Sequence, residues 1–144
     1  MLYRLLVQHL HNLALEIKMF NLKRTVIMET KKKYFMDCHL AGKQYHDADE
    51  VWDKLKVNTE LKLVRDNENK YDPDAVAVIF VDEENKEEYC IGYIPSSENK
   101  EIATILEMGW EDIFECRISS INEKAHPEQQ IYLTVKVKKN EKRA

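Results

Sequence analysis

The side chains with most chemistry to offer lie between Arg65 and Ala75. Asp66, Glu68, Asp72 and Asp74 alternate there with Asn67, Asn69, Lys70, Tyr71 and Pro73. Carboxylates at this density suit metal binding, proton transfer or acceptance from a hydroxyl group. Pro73-Asp74 with Glu84-Asn85-Lys86 spells the outline of a metal-dependent nuclease motif. That chemistry needs the second carboxylate and the lysine in a strand beside the first aspartate. Here Glu84 and Lys86 fall at a hairpin tip, beyond the apolar run 75–81. Cys38-His39, Cys90 and Cys116 offer zinc-type donors, but structural zinc sites use closely spaced ligand pairs. Cys38 and His39 also alternate along a strand and point to opposite faces. No phosphate-binding glycine loop and no Ser/His/Asp or Cys/His arrangement of credible spacing is present. The reading is therefore a non-enzyme, with no catalytic residue, no metal and no cofactor.

The same loop also has a purely structural reading. Tyr71-Asp72-Pro73 can be a turn in which Tyr71 packs on the core and Asp72 accepts backbone N–H groups. Asn69 suits a left-handed turn position, and Tyr93, beside Gly92, suits a half-buried strand aromatic.

Alternating elements must position this loop. Tyr34, Met36, Cys38 and Leu40 have a period of two, which predicts a strand ended by Gly42. Residues 43–46 follow as a loop, and residues 47–55 read as a short helix with Asp47 as N-cap and Val51 and Leu55 on one face. Leu61, Leu63 and Arg65 alternate as a second strand. Residues 75–81 form an apolar run that predicts a strand buried on both faces. Residues 83–87 make a hairpin tip, and residues 89–94 the returning strand. Pro95-Ser96-Ser97 introduces a helix with Ile102, Ile105 and Leu106 on one face, stopped by Gly109. Residues 113–121 are the next strand, and Ile131, Leu133, Val135 and Val137 alternate in the last. Six short strands with one clear helix predict a mainly β fold, a small SH3-like or OB-like barrel with one or two short helices.

Charge narrows the function. The chain has 144 residues and a net charge of −4. Residues 1–33 carry seven basic and two acidic side chains, so the remaining body carries −9. An acidic body argues against sequence-blind coating of a phosphate backbone, which needs a broad basic surface. Three widely spaced cysteines in apolar segments argue against a disulfide framework and for a reducing, cytoplasmic setting. No run is apolar enough to span a membrane. Leu2, Leu5, Leu6, Leu10, Leu13, Ile17 and Phe20 give residues 1–30 the spacing of an amphipathic helical extension. Met28, before Glu29-Thr30-Lys31, is a candidate start of translation, which would leave that extension outside the native chain. Mass spectrometry of the native N-terminus tests this, and peptides from residues 1–27 would reject it. The domain is expected at 34–138, with a basic tail at 139–144.

The run from Leu61-Lys62-Leu63-Val64-Arg65-Asp66 through Asn69, Tyr71-Asp72 and Ala75-Val76-Ala77-Val78 resembles the signature of the HIRAN domain. Ile91-Gly92-Tyr93-Ile94-Pro95 before a helix is similar to the family's second marker, and Leu40-Ala41-Gly42 with Tyr45 to its entry. The resemblance spans about a hundred residues in order. It implies a small β-barrel, of a kind fused to helicase-like and nuclease-like enzymes or standing alone in bacteria. In a helicase-like transcription factor the domain captures the 3′ end of single-stranded DNA. Carried onto this sequence, the resemblance implies a nucleic-acid-binding pocket at Gln44, Tyr45, His46, Asn69, Asp72 and Tyr93. Tyr45 would stack, Asn69 would make a polar contact, Asp72 would accept from the 3′-hydroxyl, and Tyr93 would touch the terminal nucleotide. Gln44 and His46 replace an arginine and a second tyrosine of that relative.

The expectation is a module that binds single-stranded DNA at a free 3′ end. Its implied partners are DNA ends and a helicase or nuclease protein, with no membrane. The alternative is a protein-interaction module in a DNA-repair or mobile-element context. A metal-dependent hydrolase acting on nucleic acid comes third.

Overall fold

The computed structural model describes residues 2–140, and the side chains of residues 24–30 lie outside that description. The expected basic tail at 139–144 lies for the most part outside it too. The chain divides into two compact units, Met1–Lys33 and Tyr34–Ala144. In the first, helix α1 runs Leu2–Thr30. Leu6, Leu10, Leu13, Ile17 and Phe20 are exposed on it, and so are Tyr3, Val7, Leu15, Met19 and Leu22. The apolar side chains therefore occupy more of the circumference than a single stripe. Among the described residues no helix is long and apolar enough to cross a membrane.

The strands are β1 (Lys32–His39), β2 (Glu60–Arg65), β3 (Val76–Val81), β4 (Glu88–Tyr93), β5 (Phe114–Ile121) and β6 (Ile131–Lys138). They form one sheet in the order β1-β6-β5-β2-β3-β4, with antiparallel ladders. Period-two patterning puts Ile131, Leu133 and Val135 of β6 into the core opposite Ile121, Ile118 and Cys116 of β5. Val76, Val78 and Phe80 fill it from β3, with Leu61 and Leu63 from β2 and Ile91 from β4. Each such side chain, taken fully out of water, contributes on the order of 1.5–3 kcal/mol.

The sheet does not close into the expected barrel. Two residues beyond edge strand β1, the chain meets edge strand β4 at a single described pair, Ala41 and Tyr93, which exchange two backbone hydrogen bonds of 2.9 Å. Gly42 turns away at φ +69° directly after Ala41, and Pro95, with no N–H, stands two residues after Tyr93, so the ladder has nowhere to extend. Gly92 permits the approach: a Cβ there would lie 2.5 Å from the Ala41 carbonyl oxygen.

Helix α2 (Lys100–Glu107) covers the core with Ile102, Ala103 and Leu106. The N–H groups of Gly109 and Trp110 close on the carbonyls of Leu106 and Ile105, the paired bonds of a Schellman stop, with Gly109 at φ +87°. Residues 47–55 are not the single helix expected. They form 3₁₀ turns at Asp47–Asp49 and Trp52–Lys54, after a first at Lys43–Tyr45. Val51, at φ −116° and ψ 10°, interrupts them, and the N-cap position falls on His46 rather than Asp47. The tighter turns still bury Ala48, Val51 and Leu55, which is the work expected of the helix.

All three cysteines are free. Burial, with Glu98 and Asp37 nearby, pushes the Cys38 thiol up to about 12. Burial also raises Cys116 and Cys90. None is a ready thiolate.

Candidate nucleic-acid interface

The loop at 66–74 is shaped by its own polar groups. Its neck closes where the Asp66 N–H donates to the Ala75 carbonyl at 3.0 Å. Arg65 braces it from the end of β2, donating through Nη1 to Ala75 O at 2.9 Å and through Nη2 to Pro73 O. Asn69 Oδ1 accepts from the N–H groups of Tyr71 at 2.9 Å and Asp72 at 3.0 Å. This is an Asx turn, in which a side chain stands in for a backbone acceptor. Asn69 is not the left-handed residue its type suggested, since the positive-φ non-glycines are Asn58 and Lys86.

Asp72 uses both carboxylate oxygens internally. Oδ1 accepts from the Asp74 N–H at 2.9 Å and Oδ2 from Asn99 Nδ2 at 2.8 Å. Asn99 is buried directly before α2, so this bond ties the loop to the start of the helix. A carboxylate oxygen has room for about two donors, and Asp72 is only half-buried. It can still accept from a ligand hydroxyl. Tyr71, expected on the core, is 98% exposed. Asn69 and Asp72 on either side turn their polar ends into the loop, and the core beneath is already filled by strand side chains.

Tyr93 ends β4 and faces this loop. Its hydroxyl donates to Asp66 Oδ2 at 2.8 Å, and the same oxygen takes Asn69 Nδ2 at 3.5 Å. Burial, followed by the hydrogen bond to Asp66, raises the phenol well above its usual value and keeps it a donor. The His46 ring lies 5.0 Å from the Tyr93 ring at 54°, within the range of a favourable aromatic contact. His46, Tyr93, Asp66, Asn69 and Asp72 thus form one connected set.

Gln44 and Tyr45 lie apart from that set. Tyr45 is 79% exposed. Gln44 Nε2 donates to Glu128 Oε1 at 2.8 Å, and the Gly42 N–H reaches both Glu128 oxygens at 3.3 Å. Lys43, the one cation of this loop, is buried. Its ammonium sits 4.4 Å from the centre of the Trp52 ring and 3.4 Å from Asp49 Oδ1. The carboxylates near the aromatic rings are Asp66, Asp72 and Glu128, with Lys70 exposed beside Tyr71 and the Arg65 guanidinium bracing the same loop. Tyr45 and Tyr71 each expose a ring on which a base can stack, and the carboxylates can accept from a hydroxyl and repel a phosphate placed against them.

Asp66 lies inside the motif recognised in the sequence, though its hold on Tyr93 is not visible there. Two further positioning residues escape sequence reasoning. Asn99 and Glu128 lie 27 and 86 residues from their partners Asp72 and Gly42, and no local pattern marks either. The acid and lysine of the nuclease outline are engaged with other neighbours. Lys86 pairs with Glu83 at 2.8 Å, and Glu84 lies 3.7 Å from Lys54, which also bonds Asp82. Among the described residues no group of three or more His, Cys, Asp or Glu side chains is placed to hold a metal ion.

The sequence profile of the HIRAN domain matches residues 33–139. No curated protein is significantly similar. Among solved structures, a protein from Lactobacillus plantarum superposes with a TM-score of 0.62 at 19% identity, over 76% of this chain and 97% of that one. The HIRAN domain of human HLTF superposes with a TM-score of 0.46 at 17% identity, over 76% and 82%.

Proposed function

This chain belongs to the HIRAN domain family, a family of DNA-binding modules, and we propose that it binds single-stranded DNA at a free 3′ end without catalysing a reaction. The observation that carries the reading is the pairing of exposed rings with a hydroxyl acceptor. Tyr45 and Tyr71 offer stacking faces, while Asp72, next to Tyr71 in sequence, keeps acceptor capacity. A base stacked on an aromatic side chain contributes roughly 1–3 kcal/mol, so two such contacts supply roughly 2–6 kcal/mol of the roughly 8 kcal/mol that micromolar binding needs. Carboxylates oppose an internal phosphate and welcome a terminal hydroxyl, which favours an end over the middle of a strand. Gln44, His46, Asn69 and Tyr93 then act mainly by holding the surface in shape.

A second reading rests on the inward-turned Lys43 and the acids Asp66, Asp72 and Glu128. A surface of that charge also suits a basic segment of a protein partner, such as a helicase or nuclease. Fluorescence anisotropy with oligonucleotides ending in a 3′-hydroxyl or a 3′-phosphate separates the readings. Tighter binding of the hydroxyl end is expected. Equal affinity for both rejects end capture, and no binding at millimolar protein rejects the nucleic-acid reading in favour of the protein partner.

A further inference from the structure

Glu128 reaches across from the loop between β5 and β6 to fill the donors at the mouth of the 42–46 loop. Both carboxylate oxygens lie 3.3 Å from the Gly42 N–H, and Oε1 lies 2.8 Å from Gln44 Nε2. Its backbone is itself fixed. Pro127 opens the 3₁₀ turn Pro127–Gln129, and the Glu128 N–H donates to His126 Nδ1 at 3.2 Å. The Gln129 N–H closes the same turn on the His126 carbonyl at 2.7 Å. A carboxylate on a short, capped turn is a placed group rather than a wandering surface acid. A backbone N–H and a carboxamide that face one another across a loop mouth are the donors a phosphate oxygen would use. Here they are already satisfied by a fixed negative charge, and Lys43, the nearby cation, is folded away under Trp52.

We infer that Glu128 is a specificity-determining residue, an internal carboxylate that occupies the phosphate-type donors of the 42–46 loop and so excludes phosphate from beside Tyr45. The inference rests on the proposed DNA-end reading and deepens it by naming the end chemistry. A terminal hydroxyl meets no competing charge at the loop, whereas a phosphate must displace Glu128 from Gly42 and Gln44 or endure its repulsion. Asp66 and Asp72 set the acidity of the neighbouring loop, but neither touches these two donors in the structure.

Two variants separate charge from occupancy. E128Q removes the charge and keeps an acceptor for Gln44 and Gly42. E128A removes both and leaves the donors open. Each is compared with the parent chain by anisotropy on one oligonucleotide carrying either a 3′-hydroxyl or a 3′-phosphate. Affinity for the phosphate-ended strand should rise about tenfold in E128Q and at least as much in E128A, well beyond any change for the hydroxyl-ended strand. Unchanged discrimination in both variants, with ¹H–¹⁵N spectra that report a native fold, overturns the inference. Inorganic phosphate supplies an arm independent of DNA. In E128A it should shift the Gly42 amide resonance, and in the parent chain it should not. If no chain binds either oligonucleotide, the DNA reading fails alone when the Gly42 shift is present in E128A. Both fail when it is absent.

Discussion

The two loops that frame the candidate surface are built on opposite plans. In the 66–74 loop three polar side chains, Asp66, Asn69 and Asp72, are turned inward, while Asn67, Glu68, Lys70 and Tyr71 are exposed. Asn69 and Asp72 cap its own backbone, and Asp66 holds Tyr93. In the 42–46 loop, Gln44 and Tyr45 stand in solvent, while Lys43 is turned in and His46 packs on Tyr93. Polar groups paired in the fold are costly to leave unpaired, so Asp66, Asn69 and Asp72 support the first loop through stability, with Tyr71 exposed beside them. An exposed tyrosine costs little to remove from the fold, so Tyr45 of the second loop is a contact residue that acts through binding. Residue types that look equally functional in the sequence, an Asn and a Tyr in two polar loops, thus carry different work.

The harshest way to break this division is to disturb what both loops share. Gly92→Ala places a Cβ 2.5 Å from the Ala41 carbonyl oxygen, at a φ of +156°. It should cost about 3 kcal/mol, read as a lower urea midpoint, and should weaken oligonucleotide binding as the Ala41/Tyr93 bridge parts. A midpoint equal to that of the parent chain would show that the bridge does not hold the loops.

A paired comparison sharpens the division itself. Asn99→Ala strips Asp72 of its buried donor and should cost about 1–3 kcal/mol of stability. Tyr45→Ala should leave stability within about 0.5 kcal/mol and weaken DNA binding by about 1–3 kcal/mol. Thermal unfolding and anisotropy on the same two samples check both halves. A destabilised Tyr45 variant would erase the distinction between support and surface.

The smallest effect concerns the hairpin turn, which has the support plan without any part in the site. The hydrogen bond from Lys54 holds the Asp82 carboxyl below its usual value, helped by the Glu84 N–H. A carboxylate whose pKa is lower folded than unfolded adds stability that is present above the unfolded pKa, near ~4. That stability is lost as pH falls through the folded value. Stability of the parent chain should therefore decline below about pH 4 more steeply than that of Lys54→Met, measured by urea unfolding across pH 2–6. Parallel slopes would mean that the pair does not couple to folding.

Much of the frame is legible without coordinates. Alternation in residues 131–137 and the apolar run at 75–81 predict strands because a pleated chain sends neighbouring side chains to opposite faces. Gly109 predicts the end of α2 because only glycine adopts its backbone angles cheaply. The six strands and the family follow from such local rules and from an ordered set of motif residues. The segment at 47–55 misleads because its spacing of buried residues serves a run of 3₁₀ turns as well as a helix.

What the sequence by itself determined is the strand set, the polar loop at 66–74 and the kinds of side chain available to a site. Tertiary structure alone decided which of them face solvent and which face one another. It sent Tyr71 outward, turned Lys43 beneath Trp52, set Asn99 against Asp72 and laid Glu128 across Gly42 and Gln44. It also left the sheet open, joined at one residue pair. The physical reason is range. Backbone preference and periodicity act over a few residues and are written locally, whereas a hydrogen bond between residues 27 or 86 positions apart exists only once the sheet has curled and brought its loops together.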